Sequence, residues 1–334
     1  MKSFKKVLLG LLTLVVLLLV LAYFLPRKME VSVTGKVDAP AKFAYNILND
    51  FKNQEKWDPW LSQDTSMTFE YGDKTLGEGA YVDYKSDSYG AGRTSRVTSK
   101  QDRQILLTTN SKDKDNASMN YNLEPDGEES KLTWGFKSEI GWPMNLMSFI
   151  FRSSMKEDMK VGISNISRIA NERWKKGLYN GFVVNPEIRE SINYVIRRDV
   201  VPYDQSDKYY TQNLQPLFLK IQNSGVEMEG ISCALVYNYD FANNTLDMAT
   251  AIPIKEQVAI EGAGSEVLDQ GKVLVVDYYG DKSGTAPAHF AIDDYMRDRG
   301  LFNEYPVVEE YTTDPIEEKD PSKWLTKVIY YLSE

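Results

Sequence analysis

One histidine and one cysteine in 334 residues exclude a good deal of chemistry at once. Cys233 alone cannot close an internal disulfide, and with His289 it cannot assemble a Cys/His zinc site. A two-histidine metal centre is equally out of reach, so no metal is expected, and no cofactor either. Any Ser-His-Asp or Cys-His mechanism would have to run through His289. Basic residues are the minority, 39 against 48 acidic. Nucleic acid is therefore not an expected partner, because phosphate backbones are held by clustered Lys and Arg. What is abundant is aromatic, with 21 tyrosines and 6 tryptophans. Carboxylates and phenols remain, to bind a ligand or to do chemistry.

Charge is missing altogether from the 19 residues Val7–Leu25. As a helix at 1.5 Å per residue this run is roughly 28 Å long, about the hydrocarbon thickness of a bilayer. It exceeds a signal-peptide core, and no small-residue cleavage site or lipobox cysteine follows it. The expectation is a single-pass anchor over residues 1–28, in a bacterial cell membrane. Three lysines precede it and only Arg27 and Lys28 follow, which favours an inside N-terminus and exported domains. The remaining 306 residues carry 34 basic against 48 acidic side chains, so this acidic body is expected to stand off an anionic lipid surface.

Residues 29–175 read as one globular unit. Glu30–Val37 alternates apolar and polar residues as a half-buried strand does, and Asp38 offers an N-cap to a short helix after Pro40. A Trp57-Asp58-Pro59-Trp60 loop precedes strand patterns near 65–71, 80–86, 93–99, 104–110, 117–124 and 131–137. A long helical pattern from Met144 to Arg173 closes the unit. The V-D-A-P-A-K-F-A-Y-N-I-L-N-D segment, W-D-P-W, G-E-G-A, G-A-G-R, L-T-W and the terminal helix occur in the order of the START-like superfamily, also called SRPBCC or polyketide cyclase-like, which this unit resembles. The resemblance implies a curved antiparallel sheet gripping the long helix, with a hydrophobic cavity between them. Trp57, Trp60, Trp134, Met155 and Met159 are the candidate cavity residues. Met155 and Met159 stand four apart on one helix face, and methionine walls adapt to irregular ligands. Ordinary core packing would place the same residues there. No acid/base pair stands out in this unit.

Residues 176–186 read as a connector, and 187–334 as a second unit built twice from one plan. Strand 192–200, helix 206–224 closed by Gly225, and strands 231–240 and 246–254 form the first copy. After a short strand at 264–268, strand 272–279, helix 286–299 closed by Gly300, and strands 305–313 and 325–332 repeat the order. The overall class expected is α+β. A pocket between the two halves follows from the duplication.

Period-two arithmetic puts Tyr305, Val307, Glu309 and Tyr311 on one strand face and Glu310 on the other. Tyr237 and Tyr239 share a face of the corresponding strand in the first half, and Tyr278 ends the strand before the second helix. A carboxylate ringed by phenols suits a cationic, apolar ligand, through charge pairing and cation–π attraction of about 0.5–2 kcal/mol per ring. A wet strand face with packed tyrosines is the plainer alternative. His289 has no obvious partner in sequence and reads as a surface or packing residue, and Cys233 as a small buried hydrophobe.

The VLVVDYYG strand, the A-H-F-A-I-D-D-Y-M helix and P-V-V-E-E-Y-T-T-D-P resemble the GyrI-like domain, the effector-binding fold of some bacterial transcription activators. That resemblance implies Glu309 as the acidic ligand-binding position, with Tyr311 beside it. The sequence departs from the family at Gly280-Asp281-Lys282, where G-P-Y is common, and no helix-turn-helix domain precedes the unit. The combined expectation is a membrane-anchored binding protein for hydrophobic or amphipathic small molecules, cationic ones included, with the ligand held in the pocket between the repeat halves around Glu309. A hydrolase or cyclase-type enzyme using Glu309 as general base with a neighbouring tyrosine is the alternative.

Overall fold

The computed structural model describes residues 2–111, 117–240 and 242–333, and the chain divides into two compact units, Met1–Lys175 and Lys176–Glu334. The architecture is α+β, with an N-terminal apolar helix and curled antiparallel sheets.

Helix α1 (Lys2–Phe24) contains the one stretch, Phe4–Phe24, that is long and apolar enough to cross a membrane among the described residues. Only 6% of it is buried, so protein does not cover it. The seven-stranded sheet of the first unit follows, formed by β1 (Lys28–Val37), β2 (Thr68–Tyr71), β3 (Tyr81–Ser86), β4 (Gly90–Lys100), β5 (Gln104–Ser111), β6 (Ala117–Asp126) and β7 (Glu129–Glu139). Its order is β1-β7-β6-β5-β4-β3-β2, antiparallel throughout, so each strand from β2 to β7 pairs with its sequence neighbour and β1 closes onto β7. Helices α2 (Ala41–Leu48) and α3 (Gln54–Trp57) lie between β1 and β2. The cap of α2 is Pro40, without a side-chain bond; Asp38 is held instead by Ser167, whose Oγ accepts from its backbone N–H.

Helix α4 (Ser148–Lys176) closes the unit, preceded by a 3-10 turn at Met144–Met147 where the sequence suggested continuous helix. From Met159 onward its Ile163, Ile166 and Ala170 are buried with Val31, Leu132 and Trp134. Two glycines permit this close approach. A Cβ on Gly162 would stand 2.5 Å from the Trp134 ring, and one on Gly35 would stand 2.7 Å from Ile163. Neither position has room for a larger residue.

In the second unit, β8 (Leu178–Tyr179) and β9 (Phe182–Val183) form a small hairpin within the stretch read as a connector. Then come β10 (Asn185–Arg189), β11 (Ile192–Pro202), α5 (Ser206–Ser224), β12 (Cys233–Asp240), β13 (Thr245–Ile254), β14 (Gly264–Leu268), β15 (Gly271–Tyr279), α6 (Ala286–Arg299), β16 (Asn303–Tyr311) and β17 (Leu325–Leu332). The sheet order β10-β15-β17-β16-β12-β13-β11-β14 reads the same way outward from its centre. Strands β16 and β12 pair there, and each copy of the β-α-β-β plan extends to one side. Gly225 and Gly300 end the two helices in the left-handed conformation, with φ of +74° and +68°, which glycine adopts without Cβ strain. Both helices cover one sheet face. The other face buries Tyr194, Cys233, Leu235, Val275 and Ile329.

Candidate functional site

The first unit holds a cavity of about 940 Å³ between the sheet and the N-terminal part of α4. Pockets of roughly 300–1,000 Å³ accommodate drug-sized ligands. Trp57, Trp60 and Met155 line it; Trp134 and Met159 do not. Trp134 instead lies fully buried beneath the other two indoles, its ring 5.7 Å from Trp57 and 5.6 Å from Trp60, both nearly perpendicular. Met159 is likewise fully buried. One helical turn separates Met155 in the cavity wall from Met159 in the core, because α4 seats on the sheet only after that point. Phe69, Tyr84, Leu107, Met119, Tyr121 and Phe136 complete the apolar walls.

The charged groups on the lining are all acidic: Asp50, Asp58, Glu139 and Asp158, with no Lys, Arg or His among the described lining residues. Asp158 accepts from Trp60 Nε1 at 3.2 Å and from Gln63 Nε2 at 2.8 Å. Asp58 accepts from Gln54 Nε2 at 2.8 Å and the Trp60 backbone N–H at 2.9 Å. Burial nevertheless pushes the Asp58 carboxyl above the ordinary carboxylate range, and those hydrogen bonds only partly offset it. The cavity thus has a hydrogen-bonding side at Asp58, Trp60 and Asp158 and extensive aromatic and thioether walls.

In the second unit, Glu309 sits where period two placed it, facing the helices, while Glu310 faces away and pairs bidentately with Arg189. Three donors converge on the Glu309 carboxylate. His289 Nε2 lies 2.7 Å and Thr285 Oγ1 3.0 Å from Oε1, and the Tyr311 hydroxyl donates to Oε2 at 2.9 Å. The Glu309 side chain is 14% exposed. Burial raises its pKa, but the bond and charge of His289, then Tyr311 and Thr285, outweigh that and hold the carboxyl below its usual range. An ionised carboxylate only accepts, so Nε2 carries the proton and donates to it, while Nδ1 lies 3.1 Å from the Tyr330 hydroxyl. Tyr311 is pushed far above the ordinary phenol range, first by burial and then by Glu309.

His289 is therefore a half-buried partner of Glu309, where the sequence offered it none. Its signal was its place three and seven residues before Ile292 and Met296, on the buried face of α6. Tyr210 and Lys282 also went unrecognised. The Tyr210 ring meets Tyr311 edge-on at 4.7 Å, and Lys282 Nζ lies 4.9 Å and 5.2 Å from the two ring centres. Asp207 Oδ1 pairs with the same ammonium at 3.2 Å.

The remaining tyrosines are not all gathered here. Strand β12 shifts register between Val236 and Asn238, making Tyr237 an extra residue. Tyr239 consequently packs with Tyr311 and Ala234 on the helix-covered face, its ring 5.2 Å from Tyr203. Tyr237 stays with the opposite cluster, donates to Glu266 at 2.8 Å and lies under Arg198. The two were expected to share a face. Tyr278 packs beside Phe182, its hydroxyl in the space left by Gly280 and Gly284. Tyr305 is 65% exposed, at a break in the β16–β17 ladder.

No protein-family model matches the chain, and no curated protein matches it. Solved structures similar to it include the EcmrR C-terminal domain, at 13% identity over 46% of this chain and 98% of that one, with a TM-score of 0.42. The Zhui aromatase/cyclase from a Streptomyces species is 14% identical over 44% of this chain and 95% of its own, with a TM-score of 0.35. Norcoclaurine synthase from Thalictrum flavum is 10% identical over 43% and 94%, with a TM-score of 0.36.

Proposed function

We propose that this protein is a membrane-anchored binding protein for hydrophobic or amphipathic small molecules, with the ligand held in the cavity of the first unit. The observation that carries this reading is the cavity of about 940 Å³, walled by aromatic and methionine side chains and charged only by carboxylates. Burying apolar ligand surface there supplies the affinity, at about 25 cal/mol per Å² before ordering costs. The acidic lining selects the sign of the polar group: an amine or hydroxyl finds Asp58, Asp158 and Glu139, whereas a carboxylate or phosphate meets like charge. The test is native mass spectrometry of the full chain in detergent, with long-chain amines, alcohols and fatty acids of matched length. Amines and alcohols are expected to bind in preference to fatty acids. Equal retention of all three would reject the assignment of polarity, and retention of none would reject the site.

A second ligand site around Glu309 is favoured by one observation, the Lys282 ammonium resting against Tyr210 and Tyr311. The aromatic pair is suited to a cation, and a lipophilic cation would take the place of that ammonium with Glu309 behind it. The hydrolase alternative needs a general base with its pKa near neutrality, and the depressed pKa of Glu309 points the other way.

A further inference from the structure

The C-terminal end of α1 is pinned to the wall of the cavity. Asn145, fully buried in the 3-10 turn before α4, donates to the Ala22 carbonyl at 2.6 Å and the Leu25 carbonyl at 3.1 Å. Trp142 Nε1 donates to the Leu19 carbonyl at 3.1 Å. These bonds tie the last two turns of α1 and the residue that follows it to the turn before α4, and they set that turn beside the last part of the apolar span. If α1 crosses a bilayer, the Trp142 indole sits at its boundary, where tryptophans concentrate.

The segment so placed has the composition of a surface that meets lipid. Residues 140–151 contain no charge. Trp142, Met144, Met147, Phe149 and Ile150 are all exposed, Phe149 by 80%. Contiguous apolar surface of this kind marks an interaction site on a soluble domain. It is continuous with the uncovered surface of α1, whose Tyr23 and Phe24 are also exposed. Arg27, Lys28 and Arg152 stand beside it, and Arg152 Nη2 donates to the Lys28 carbonyl at 3.2 Å. Apolar side chains next to a cluster of basic ones match the acyl region and the phosphate layer of a bilayer. The overall acidity of the body, which favours standing off the membrane, does not extend to this patch.

The same segment forms part of the cavity wall. Ile140, Gly141, Met144, Phe151, Ser154 and Met155 all line it. The cavity therefore borders the membrane-facing patch directly.

We propose that the segment Trp142–Phe151 enters the bilayer surface beside α1 and forms a lateral portal, through which the cavity takes up a lipid with apolar chains and a neutral or cationic head. This rests on reading α1 as membrane-spanning and the cavity as the ligand site. Lateral entry keeps the chains of the ligand out of water throughout, which an opening to bulk solvent would not.

The full chain is reconstituted into phosphatidylcholine vesicles containing a long-chain alkylamine that carries a photoreactive diazirine. The initial rate of labelling of the Met155 peptide is then followed by mass spectrometry. The double variant Phe149→Asp with Ile150→Asp alters two exposed side chains that do not line the cavity. It is expected to slow labelling from vesicles by about tenfold or more, because two carboxylates must enter the interface. Labelling from detergent micelles should be unchanged, which also shows that the variant is folded. Equal rates from vesicles would overturn the portal and leave the cavity as a ligand site. Absence of labelling of the wild-type chain in both vesicles and micelles would overturn the cavity reading, and the portal with it.

Discussion

His289 Nε2 stands 2.7 Å from Glu309 Oε1, joining helix α6 to strand β16 through a mostly buried imidazole–carboxylate bond. With Thr285 and Tyr311 it keeps the carboxylate ionised in a setting that would otherwise favour the acid. The sign of the pH effect follows. The folded pKa of Glu309 lies below the ordinary value of about 4.3, so its ionised form adds stability that is fully present above that value. That contribution is lost as pH falls through the lower folded pKa. Glu309→Gln should therefore unfold at a lower temperature than wild type at neutral pH, and the gap should narrow below about pH 4. Thermal unfolding followed by circular dichroism across that range checks it; a gap independent of pH would contradict the charge-based account.

Lys282 acts as a built-in cation on the Tyr210–Tyr311 pair. Lys282→Met should make that pair available, so that tetraphenylphosphonium binds more tightly than to wild type by about 0.5–2 kcal/mol, the range of a cation–π contact. Calorimetric titration of both proteins measures it. Unchanged affinity would mean that Lys282 does not compete at this site.

What could be read in the sequence follows local rules, and what could not depends on contacts far apart in the chain. Helices Ser206–Ser224 and Ala286–Arg299 were legible to the residue, because each ends at a glycine that must be left-handed. The duplication was legible because strand and helix periods repeat in one order. Glu309 and Tyr311, two residues apart, shared a face by simple alternation. His289 lies 20 residues from Glu309, and Tyr210 lies on α5, far from Tyr311 in sequence; neither pairing leaves a local signature. The bulge at Tyr237 has no marker either, and it is what separated Tyr237 from Tyr239. In the first unit helical spacing put Met155 and Met159 on one face, but only the seating of α4 made one a cavity residue and the other core.

Gly162 tests that seating. In an open helix position, glycine to alanine stabilises by about 1 kcal/mol through propensity. At Gly162 the added methyl would collide with Trp134, whose ring is locked between Trp57 and Trp60. Gly162→Ala should instead destabilise the protein by about 1–3 kcal/mol, the usual cost of overpacking. Chemical denaturation reports the sign directly, and a stabilised variant would show that α4 lies further from the sheet.

The central claim is that the cavity of the first unit holds an amphipathic ligand. Met155→Trp tests it most directly, because Met155 lines the cavity and the larger side chain takes up part of its volume from the helix wall. Titration of the 334-residue chain in detergent with a long-chain alkylamine, followed by native mass spectrometry, should give a bound complex for wild type and a loss of about tenfold or more for the variant, with circular dichroism showing that the variant is folded. Binding of equal strength to both proteins, or to neither, would contradict the account.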